Sequence, residues 1–310
     1  MTKGLGLKKR LFVTGLTGFV GQHIQSRLRA EGSPWQLLPV PTRYDLGQPD
    51  SLEGLWPQMP DAVIHLAGQT FVPEAFRDPA RTFTINLLGT LNLLQALKTR
   101  GFKGTFLYVS SGDVYGQVSE AQLPITEHQP PCPRNPYAVS KLSAEFLSLQ
   151  WGLSEGWPVL VARPFNHIGT GQKDSFVIAS AARQISRIKQ GLQAPQLEVG
   201  DIDVSRDFLD VGDVVSAYLA LLEKGTPGQV YNICSGREQT IRSLIEQLGD
   251  LAQVDMQLIQ DPARLRRADQ RRVCGSHARL TETTGWTPEI TTQQSLRAIL
   301  SDWEKRVKEQ

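Results

Sequence analysis

A tyrosine and a lysine at helical spacing are the first residues of this chain whose types suggest chemistry. Tyr137 and Lys141 lie four positions apart, directly after Pro136, a residue that suits the first turn of a helix. On a helix the two side chains share one face. A phenol has an ordinary pKa of about 10, and a nearby ammonium lowers it. The pair is therefore a candidate proton donor with its tuning cation, although a solvated helix face often carries the same two residues.

A glycine-rich turn near the start of the chain indicates a dinucleotide site. Residues 10–14 form a short apolar run typical of a buried parallel strand, and residues 22–28 show helical spacing of apolar side chains. Between them stand Gly15, Gly18 and Gly21. Such a turn lets the backbone approach a pyrophosphate, with the start of the next helix facing the anion. A tight structural turn is the alternative interpretation of the glycines alone.

Together, the two motifs resemble the short-chain dehydrogenase/reductase family. The glycine spacing is Gly-x-x-Gly-x-x-Gly rather than Gly-x-Gly-x-x-Gly, and Phe19 and the chain length of 310 residues are typical of the extended, nucleotide-sugar-modifying branch. The resemblance covers residues 10–305. It implies an α/β fold, with a doubly wound, parallel Rossmann sheet and a smaller, discontinuous carboxyl-terminal substrate domain.

The resemblance also implies how the chain divides between these two domains. A chain of 310 residues can bury one large core or two modest ones. We expect residues 1–165 and 206–234 to form the NAD(P)-binding Rossmann domain. Residues 166–205 and 235–310 are expected to form the nucleotide-sugar-binding domain.

Two serines at a predicted strand end supply a third catalytic candidate. A β-rich run at residues 105–109 is followed by Ser110 and Ser111, at the edge where open α/β sheets bind ligands. The family pattern, counted back from the Tyr-Gly pair that follows, selects Ser111. The resemblance then implies a triad. Ser111 hydrogen-bonds the substrate oxygen, Tyr137 transfers that oxygen's proton, and Lys141 holds the nicotinamide ribose and lowers the pKa of the tyrosine.

The cofactor contacts are expected on the turns that follow the predicted strands. NAD-preferring Rossmann sites carry a carboxylate after the second strand, where it holds ribose hydroxyls. Residues 41–43 lack a carboxylate, and Arg43 can instead pair with a 2′-phosphate. We therefore expect NADP(H), with NAD(H) as the alternative. The cofactor contacts implied by the resemblance are Gly15, Gly18, Phe19, Val20, Gly21, Arg43, Asp45, Leu46, Leu66, Ala67, Gly68, Tyr137 and Lys141.

Within the family, the two residues after Ser111 distinguish reduction from dehydration. The sugar 4,6-dehydratases carry a hydroxyl or carboxyl residue followed by Glu at these positions. Elimination of water requires a general base and a general acid besides the tyrosine. Gly112 has no side chain and Asp113 is shorter than Glu, so a dehydratase is disfavoured. Asp113 is either a turn residue at the strand end or an acceptor for a sugar hydroxyl.

A segment in the middle of the chain points to the substrate. Residues 163–169, Arg-Pro-Phe-Asn-His-Ile-Gly, are similar to the branch of the family that reduces GDP-4-keto-6-deoxy-D-mannose to GDP-D-rhamnose. The resemblance implies a GDP-linked deoxyhexose as substrate. Arg206 and Arg266 match family arginines on the phosphates or ribose, a role that suits a planar guanidinium, and Asp269 matches a ribose contact. The implied substrate contacts are Ser111, Asp113, Asn166, His167, Arg183, Arg206, Arg266 and Asp269.

Four further polar residues carry specific expectations. His65 lies inside a predicted strand and is expected to be a core histidine rather than a ligand. Asn86 lies in a helical pattern that runs to residue 100, and the matching family asparagine braces the active site through the backbone. His167 has two interpretations, loop structure and sugar contact. Arg183 either neutralises a diphosphate or belongs to a solvated helix face.

Composition limits the other kinds of partner. Lys plus Arg number 33 and Asp plus Glu 31, a net charge of +2, which provides no strong field for nucleic acid or for a membrane surface. No apolar run approaches the roughly 20 residues that span a bilayer. The three cysteines are scattered, so we expect neither a disulfide framework nor a metal site. The expected location is the cytoplasm. The resemblance also implies a homodimer that forms through the helices of Asn86 and Tyr137.

Two alternative functions remain open at this point. One is a nucleotide-sugar 4-epimerase or 4,6-dehydratase, and an epimerase would retain tightly bound NAD. The other is a non-catalytic interaction protein that senses dinucleotides. Family members that have lost the active site usually lack the tyrosine or the lysine, whereas Tyr137 and Lys141 are both present here.

Overall fold

A six-stranded parallel sheet forms the centre of the molecule. The computed structural model describes residues 8–30, 32–39, 44–262 and 270–309. In chain order its strands are β1 (Lys9–Thr14), β2 (Trp35–Leu37), β3 (Ala62–His65), β4 (Thr105–Val109), β5 (Val159–Pro164), β6 (Asn166–Ile168), β7 (Gln196–Val199), β8 (Ser205–Asp210), β9 (Val230–Ile233), β10 (Glu238–Thr240) and β11 (Gln257–Gln260). The central sheet has the order β2-β1-β3-β4-β5-β9, and all of its pairs are parallel. The predicted Rossmann-like, doubly wound sheet is confirmed.

Helices connect these strands. In chain order they are α1 (Phe19–Arg29), α2 (Val72–Arg77), α3 (Pro79–Phe83), α4 (Gly89–Thr99), α5 (Pro136–Glu155), α6 (Val177–Lys189), α7 (Val211–Lys224), α8 (Ile241–Ala252), α9 (Ala278–Thr284) and α10 (Thr292–Lys308). A π-helical turn, Thr84–Leu88, joins α3 to α4, so the helical pattern around Asn86 is interrupted at its start. None of the helices in the described part of the chain is long and apolar enough to cross a bilayer.

Each face of the central sheet has its own apolar layer. In β1, Leu11 and Val13 pack on the side of α1 and α7, whereas Phe12 between them packs on the side of α4 and α5. All three side chains are completely buried. Successive side chains of a strand point to opposite faces, and a parallel strand is covered on both. This explains why residues 10–14 read as a continuous apolar run rather than as an alternating one.

A second core lies among the elements outside this sheet. Helices α6, α8 and α10 pack together around residues such as Ile185, Leu248 and Trp303. Strand β8 pairs with β6 in parallel and with β10 in antiparallel orientation, and β7 pairs with β11. These contacts support the division of the chain expected from the sequence, which stays a proposal. We propose one refinement, since Leu280 and Trp286, from and after α9, pack into the core of the central sheet.

The strand order fixes where ligands are expected. Strand β2 lies on one side of β1 and β3 lies on the other, so the topological switch point falls between β1 and β3. Open α/β sheets bind ligands at this point, outside the carboxyl ends of the strands. The chain leaves β1 at Gly15, β3 at Leu66, β4 at Ser110 and β5 at Phe165. The predicted site residues that follow these four strands therefore lie at one edge of the sheet.

Candidate active site

The glycine turn after β1 has no room for side chains. Gly15 has a φ of +72°, and a Cβ there would lie 3.0 Å from the backbone nitrogen of Ala67. A Cβ at Gly21 would overlap the carbonyl oxygen of Gly15. Helix α1 begins after Gly18, and no side chain caps its first turn. Backbone N–H groups at a helix start are donors for an anion, so this turn fits the pyrophosphate of a dinucleotide.

The exits of β1 and β3 lie directly against each other. Gly15 approaches Ala67, and a Cβ at Gly68 would lie 2.9 Å from Oδ1 of Asn86. Tyr44 makes a hydrogen bond with the backbone of Gly15. The sequence analysis missed Tyr44, because no local pattern relates it to the glycine turn. The structure thus brings the predicted contacts at residues 66–68 beside the glycine turn.

The expected adenine contacts are described only in part. The Oδ1 atom of Asp45 accepts a hydrogen bond of 2.8 Å from the backbone of Gly47, which is a turn geometry. Leu46 is buried and faces Gly89, where an added Cβ would lie 3.1 Å from the Cβ of Leu46. Arg43 lies outside the described residues. Adenine contact by Asp45 and Leu46 stays a prediction.

Tyr137 and Ser111 meet at the carboxyl end of β4. Pro136 occupies the first turn of α5, and Oδ1 of Asn135 caps the helix by accepting from the backbone of Ala138 at 2.7 Å. This cap fixes the first turn, in which the buried Tyr137 makes a side-chain hydrogen bond with Ser111. The hydroxyl of Ser111 also accepts from the backbone of Asp113 at 3.2 Å. Two of the three predicted catalytic side chains are therefore in contact.

Burial dominates the electrostatics of Tyr137. It raises the pKa of the phenol above its ordinary value, and the charge of Asp113 raises it further, while the bond with Ser111 lowers it. Burial also lowers the pKa of Lys141 to about 7, against the opposing effect of Glu145. The side-chain amine of Lys141 is therefore only partly protonated near neutral pH. The pKa of Tyr137 is thus raised overall, and the lowering effect expected from Lys141 stays a prediction.

Lys141 is held between an aromatic ring and a buried ion pair. Its Nζ atom lies 4.7 Å from the ring centroid of Tyr108. One helical turn further along α5, Glu145 pairs with Arg163 of β5 through bonds of 2.5 and 3.1 Å. Arg163 in turn stacks on Tyr115, 4.8 Å from the ring centroid. Sequence reasoning did not identify this pair, because its partners lie on different elements.

Asn86 braces the catalytic helix from behind. Its Nδ2 atom donates to the hydroxyl of Ser140 at 2.9 Å, and that hydroxyl donates to the carbonyl of Tyr137 at 2.7 Å. The Oδ1 atom of Asn86 accepts from the backbone of Gln69 at 2.7 Å. Asn86 sits in the π turn before α4, and π turns are frequent at functional sites. The expected brace through the backbone is thus present.

The position after Ser111 is closed to a larger residue. A Cβ at Gly112 would lie 3.1 to 3.3 Å from three ring atoms of Phe165. A carboxyl or hydroxyl side chain there would require this ring to move. Asp113, one residue later, is exposed, and its charge acts on Tyr137. Its contact with a sugar hydroxyl stays a prediction.

His167 packs against the glycine turn. Its ring is parallel to that of Phe19 with centroids 6.0 Å apart, and its Nδ1 atom lies 3.0 Å from the carbonyl oxygen of Phe165. Gln172 donates to the carbonyl of His167 at 3.0 Å. These contacts give His167 a structural role in its loop, while a sugar contact stays a prediction. Asn166, which precedes it, is exposed.

The predicted cations lie in the second half of the chain. Arg183 on α6 pairs with Asp174 at 2.6 Å and lines a surface cavity of about 680 Å³ together with Arg187. Arg206 on β8 donates to the carbonyl of Ser205 at 2.8 Å. The residues lining the cavity do not include the predicted catalytic side chains. Two further predicted substrate residues, Arg266 and Asp269, lie outside the described residues.

Three features together define an extended short-chain dehydrogenase/reductase. They are a Rossmann sheet, a glycine turn that leaves no room for side chains, and a buried tyrosine bonded to a serine at the sheet edge. The chain belongs to the GDP-mannose 4,6 dehydratase family, whose sequence model matches residues 40–299. The predicted family is confirmed.

Named relatives agree with this assignment. The GDP-6-deoxy-D-mannose reductase of Pseudomonas aeruginosa is 75% identical over 304 residues, which cover 98% of this chain and 100% of that protein. The solved structure of RMD from Pseudomonas aeruginosa complexed with NADPH is 74% identical, with a TM-score of 0.94, and covers 96% of this chain and 100% of that one. The UDP-glucose 4-epimerase of Thermus thermophilus, solved in complex with NAD, is 30% identical with a TM-score of 0.83, covering 95% and 98%.

Proposed function

We propose that this chain is an NADPH-dependent reductase of a GDP-linked sugar. It reduces the C4 keto group of GDP-4-keto-6-deoxy-D-mannose and forms GDP-D-rhamnose. The observation that carries the proposal is the buried hydroxyl of Tyr137, bonded to Ser111 at the carboxyl edge of a Rossmann sheet. The likeness to a GDP-6-deoxy-D-mannose reductase over 98% of the chain supports this substrate among those of the family.

The glycine turn and the exit of β3 fit a dinucleotide. Because Gly15 and Gly21 leave no space for side chains, the backbone there can lie against a pyrophosphate. These residues and residues 66–68 would hold the cofactor, with Lys141 at its ribose. A reduced nicotinamide supplies the hydride for the keto carbon. NADPH is favoured because a 74% identical relative was solved with it, and NAD(H) is the alternative.

Residues of the chain itself supply the proton that O4 gains in the reduction. Since burial raises the pKa of Tyr137, the phenol keeps its proton at neutral pH and can donate it as negative charge develops on O4. Ser111 hydrogen-bonds the same oxygen and orients the phenol. The reduction then balances, because C4 gains a hydride and O4 gains the proton of Tyr137. Lys141, whose pKa is about 7, can return a proton to the tyrosine.

The structure around Gly112 supports reduction over dehydration. Elimination of water requires an acid and a base in addition to the tyrosine. Phe165 fills the space beside Gly112, so a further side chain does not fit there without a shift of the ring. The neighbouring Asp113 remains as a hydrogen-bond acceptor for the sugar.

The substrate contacts are proposed for the loops and helices beyond β5. Asn166 and His167 follow that strand and lie next to the cofactor turn, so they would face the sugar or its phosphates. Arg183 and Arg206 would take the diphosphate, since a guanidinium binds phosphate oxygens through paired hydrogen bonds. The exposure of the pair between Arg183 and Asp174 supports this role, because solvent already competes for the arginine.

The proposed activity is tested by incubating the purified protein with GDP-4-keto-6-deoxy-D-mannose and NADPH. We expect consumption of NADPH and a product that NMR identifies as GDP-D-rhamnose, with slower turnover when NADH replaces NADPH. A dTDP-linked 4-keto-6-deoxy sugar is the control for the nucleotide and should react poorly. Tightly bound NAD, released only when the protein is denatured, would instead favour an epimerase. Absence of turnover with every 4-keto sugar would favour a non-catalytic protein.

The exposed face of α5 supports a homodimer. Val139, Phe146 and Leu153 are seven residues apart and lie on one face of the helix, and Phe146 and Leu153 are 56% and 89% exposed. Leu88, in the π turn before α4, is 48% exposed. Apolar side chains in such a row are typical of a helix that packs against another one. A second copy of the chain would bury this face against the same face.

Light scattering tests this dimer. We expect the mass of two chains for the native protein and of one chain for Phe146→Lys. Leu192→Lys, which changes another exposed apolar residue away from α5, is the control and should leave the mass unchanged. A native protein with the mass of one chain would contradict the proposal.

A cytoplasmic location completes the proposed function. Cys132, Cys234 and Cys274 are all free thiols in the structure. Free cysteines persist in reducing compartments. Fractionation of cells that express the tagged chain should place it with cytoplasmic markers, and recovery from the membrane or an extracellular fraction would contradict this.

A further inference from the structure

A buried histidine connects the cofactor turn to the catalytic helix. His65, at the end of β3, is 1% exposed and confirms the prediction of a core histidine. Its Nδ1 atom lies 2.7 Å from the hydroxyl of Thr14 at the end of β1, and its Nε2 atom lies 2.9 Å from the hydroxyl of Thr90 on α4. Both threonines are completely buried. The ring thus bridges two elements that flank the site.

The neighbouring bonds determine which ring nitrogen carries the proton. Thr90 donates its hydroxyl proton to the carbonyl of Asn86 at 2.6 Å, because a carbonyl oxygen can only accept. The hydroxyl of Thr90 must therefore accept from His65, so the proton is on Nε2. Thr14 accepts from the backbone of Ala67 at 3.0 Å, which leaves its own proton free to reach Nδ1. Every donor in this series of hydrogen bonds then has one acceptor.

This chain of bonds runs in one direction from the cofactor turn to the catalytic tyrosine. It starts at the backbone N–H of Ala67, where we place the cofactor, and passes through Thr14 and His65 to Thr90 and Asn86. The side chain of Asn86 continues it through Ser140 to the carbonyl of Tyr137.

We propose that His65 is a positioning residue. As a neutral ring protonated on Nε2, His65 aligns the cofactor turn at Ala67 with Tyr137. This inference rests on the proposed reduction, because alignment matters only where two groups react. Small misplacements of reacting groups reduce rates strongly. Without the ring, the hydroxyls of Thr14 and Thr90 would lose the link between them, and the exit of β3 would be joined to the π turn through the bonds between Asn86 and Gln69.

The surroundings of His65 keep the ring neutral. The aromatic rings of Phe106 and Tyr108 flank it at centroid distances of 6.1 and 5.9 Å. Burial lowers the pKa of His65 to about 3, and the charge of Lys141 lowers it further. No carboxylate contributes to this shift. A second proton would also reverse the bond to Thr14, because Nδ1 would then donate and the hydroxyl proton of Thr14 would lose its acceptor.

Threonine substitutions test each side of the chain separately. Thr14→Val removes the acceptor of Ala67, and we expect NADPH binding to weaken about 10-fold. Thr90→Val disconnects the ring from Asn86, and we expect kcat to fall about 10-fold while the KM for NADPH changes less than about 2-fold. Thr82→Val is the matched control, because Thr82 is buried and donates to the carbonyl of Asp78, which is not part of this series of hydrogen bonds. Identical kinetics for Thr90→Val and Thr82→Val would overturn the proposal.

Two histidine substitutions separate the ring nitrogens. His65→Asn places an amide near Nδ1, so it can keep the bond to Thr14 and should retain NADPH affinity better than kcat. His65→Gln reaches toward Nε2, so it can keep the bond to Thr90 and should retain kcat better than NADPH affinity. Equal losses of both quantities in the two variants would indicate a merely structural ring.

The protonation state is measured directly by NMR of the 15N-histidine-labelled native protein. We expect the signals of His65, assigned by their loss in His65→Gln, to report a neutral ring with the proton on Nε2 from pH 5 to 9. A proton on Nδ1, or a ring that titrates in this range, would overturn the proposal. NADPH binding and the NMR state are measured without the sugar, so their outcome is independent of whether the native protein reduces the proposed substrate.

Discussion

Two regions of the molecule hold their arginines in opposite ways. Behind the catalytic helix, Arg163 is paired with Glu145, and the two side chains are only 5% and 1% exposed. In the second half of the chain, Arg183 is paired with Asp174 at 38% and 42% exposure. The first pair is sealed between α5 and β5, whereas the second stands at a surface cavity. The buried pair thus holds a fixed geometry behind α5, while the exposed pair can exchange its partners with solvent.

The energetics of ion pairs explain why both arrangements are useful. A pair in contact with solvent contributes little to stability, because water and ions compete with it. Under the proposed binding of the diphosphate by Arg183, phosphate oxygens would replace Asp174 at small cost. A buried pair loses much more when one partner is removed, because the other is left charged and without water. We therefore expect Glu145 and Arg163 to stay paired during turnover.

The largest effect is expected at the reaction centre. Tyr137→Phe removes the proton donor, and we expect kcat to fall by about 10² to 10⁴. NADPH affinity should change little, because the phenyl ring keeps its place in α5. Tyr231→Phe is the control, since this buried tyrosine accepts from the backbone of Thr226 away from the site. Near-normal turnover of Tyr137→Phe would refute the assignment of the proton donor.

Breaking the buried pair should cost stability rather than chemistry. Arg163→Leu strands the carboxylate of Glu145 inside the protein, and we expect a loss of about 3–5 kcal/mol in the free energy of unfolding. Arg242→Ala, which breaks an exposed pair with Asp203, should leave the urea midpoint nearly unchanged. Equal urea midpoints for the two variants would show that the buried pair and the exposed pair contribute equally to stability.

On the substrate side, we expect an effect on binding alone. Arg206→Ala should raise the KM for the GDP-sugar by about 10–100-fold, the range for a lost hydrogen bond to a charged group, while kcat stays within about 2-fold. Arg206→Lys should recover only part of the affinity, because an ammonium lacks the planar fork of a guanidinium. Arg242→Ala is the control and should leave KM unchanged. A fall in kcat at an unchanged KM would contradict this prediction and indicate that Arg206 acts at the reacting groups.

The smallest expected effect is a shift of the pH profile. The pKa of Lys141 is about 7, and the charge of Glu145 raises it. Glu145→Gln removes that charge and leaves Arg163 charged nearby, so stability falls as for Arg163→Leu, the pKa of Lys141 falls, and less of the lysine is protonated at neutral pH. We expect the alkaline limb of kcat/KM to move to lower pH. Glu155→Gln, at the end of the same helix and paired with Lys98, should not move it. A shift toward higher pH in Glu145→Gln would contradict the account.

The sequence predicted those parts of the site that local chemistry determines. The glycine spacing around Gly15 reflects a backbone with no room for side chains, and a strand followed by a helix gives such a turn its context. Tyr137 and Lys141 are one helical turn apart and follow a proline, so their placement also follows from nearby residues. Placing Ser110 and Ser111 at the end of a strand required only the direction of the sheet, and the family pattern selected Ser111.

The parts that the sequence did not predict depend on contacts between distant residues. His65 and Thr14 are 51 positions apart, and Asn86 and Ser140 are 54 apart. No local pattern relates such partners, so the bonded chain was not foreseen, even though His65 was correctly expected in the core. The burial of Tyr137, which raises its pKa, was not foreseen for the same reason, since burial is a property of the folded chain.

The central claim is that a hydride reaches C4 of the sugar while Tyr137 protonates O4. The most direct measurement is reduction of GDP-4-keto-6-deoxy-D-mannose in ordinary water with NADPH that carries deuterium at the transferable position. We expect a GDP-6-deoxyhexose with one deuterium at C4 and none at C3 or C5, and no such product from Tyr137→Phe on the same time scale. A product without deuterium at C4, or an unreduced sugar after prolonged incubation, would contradict it.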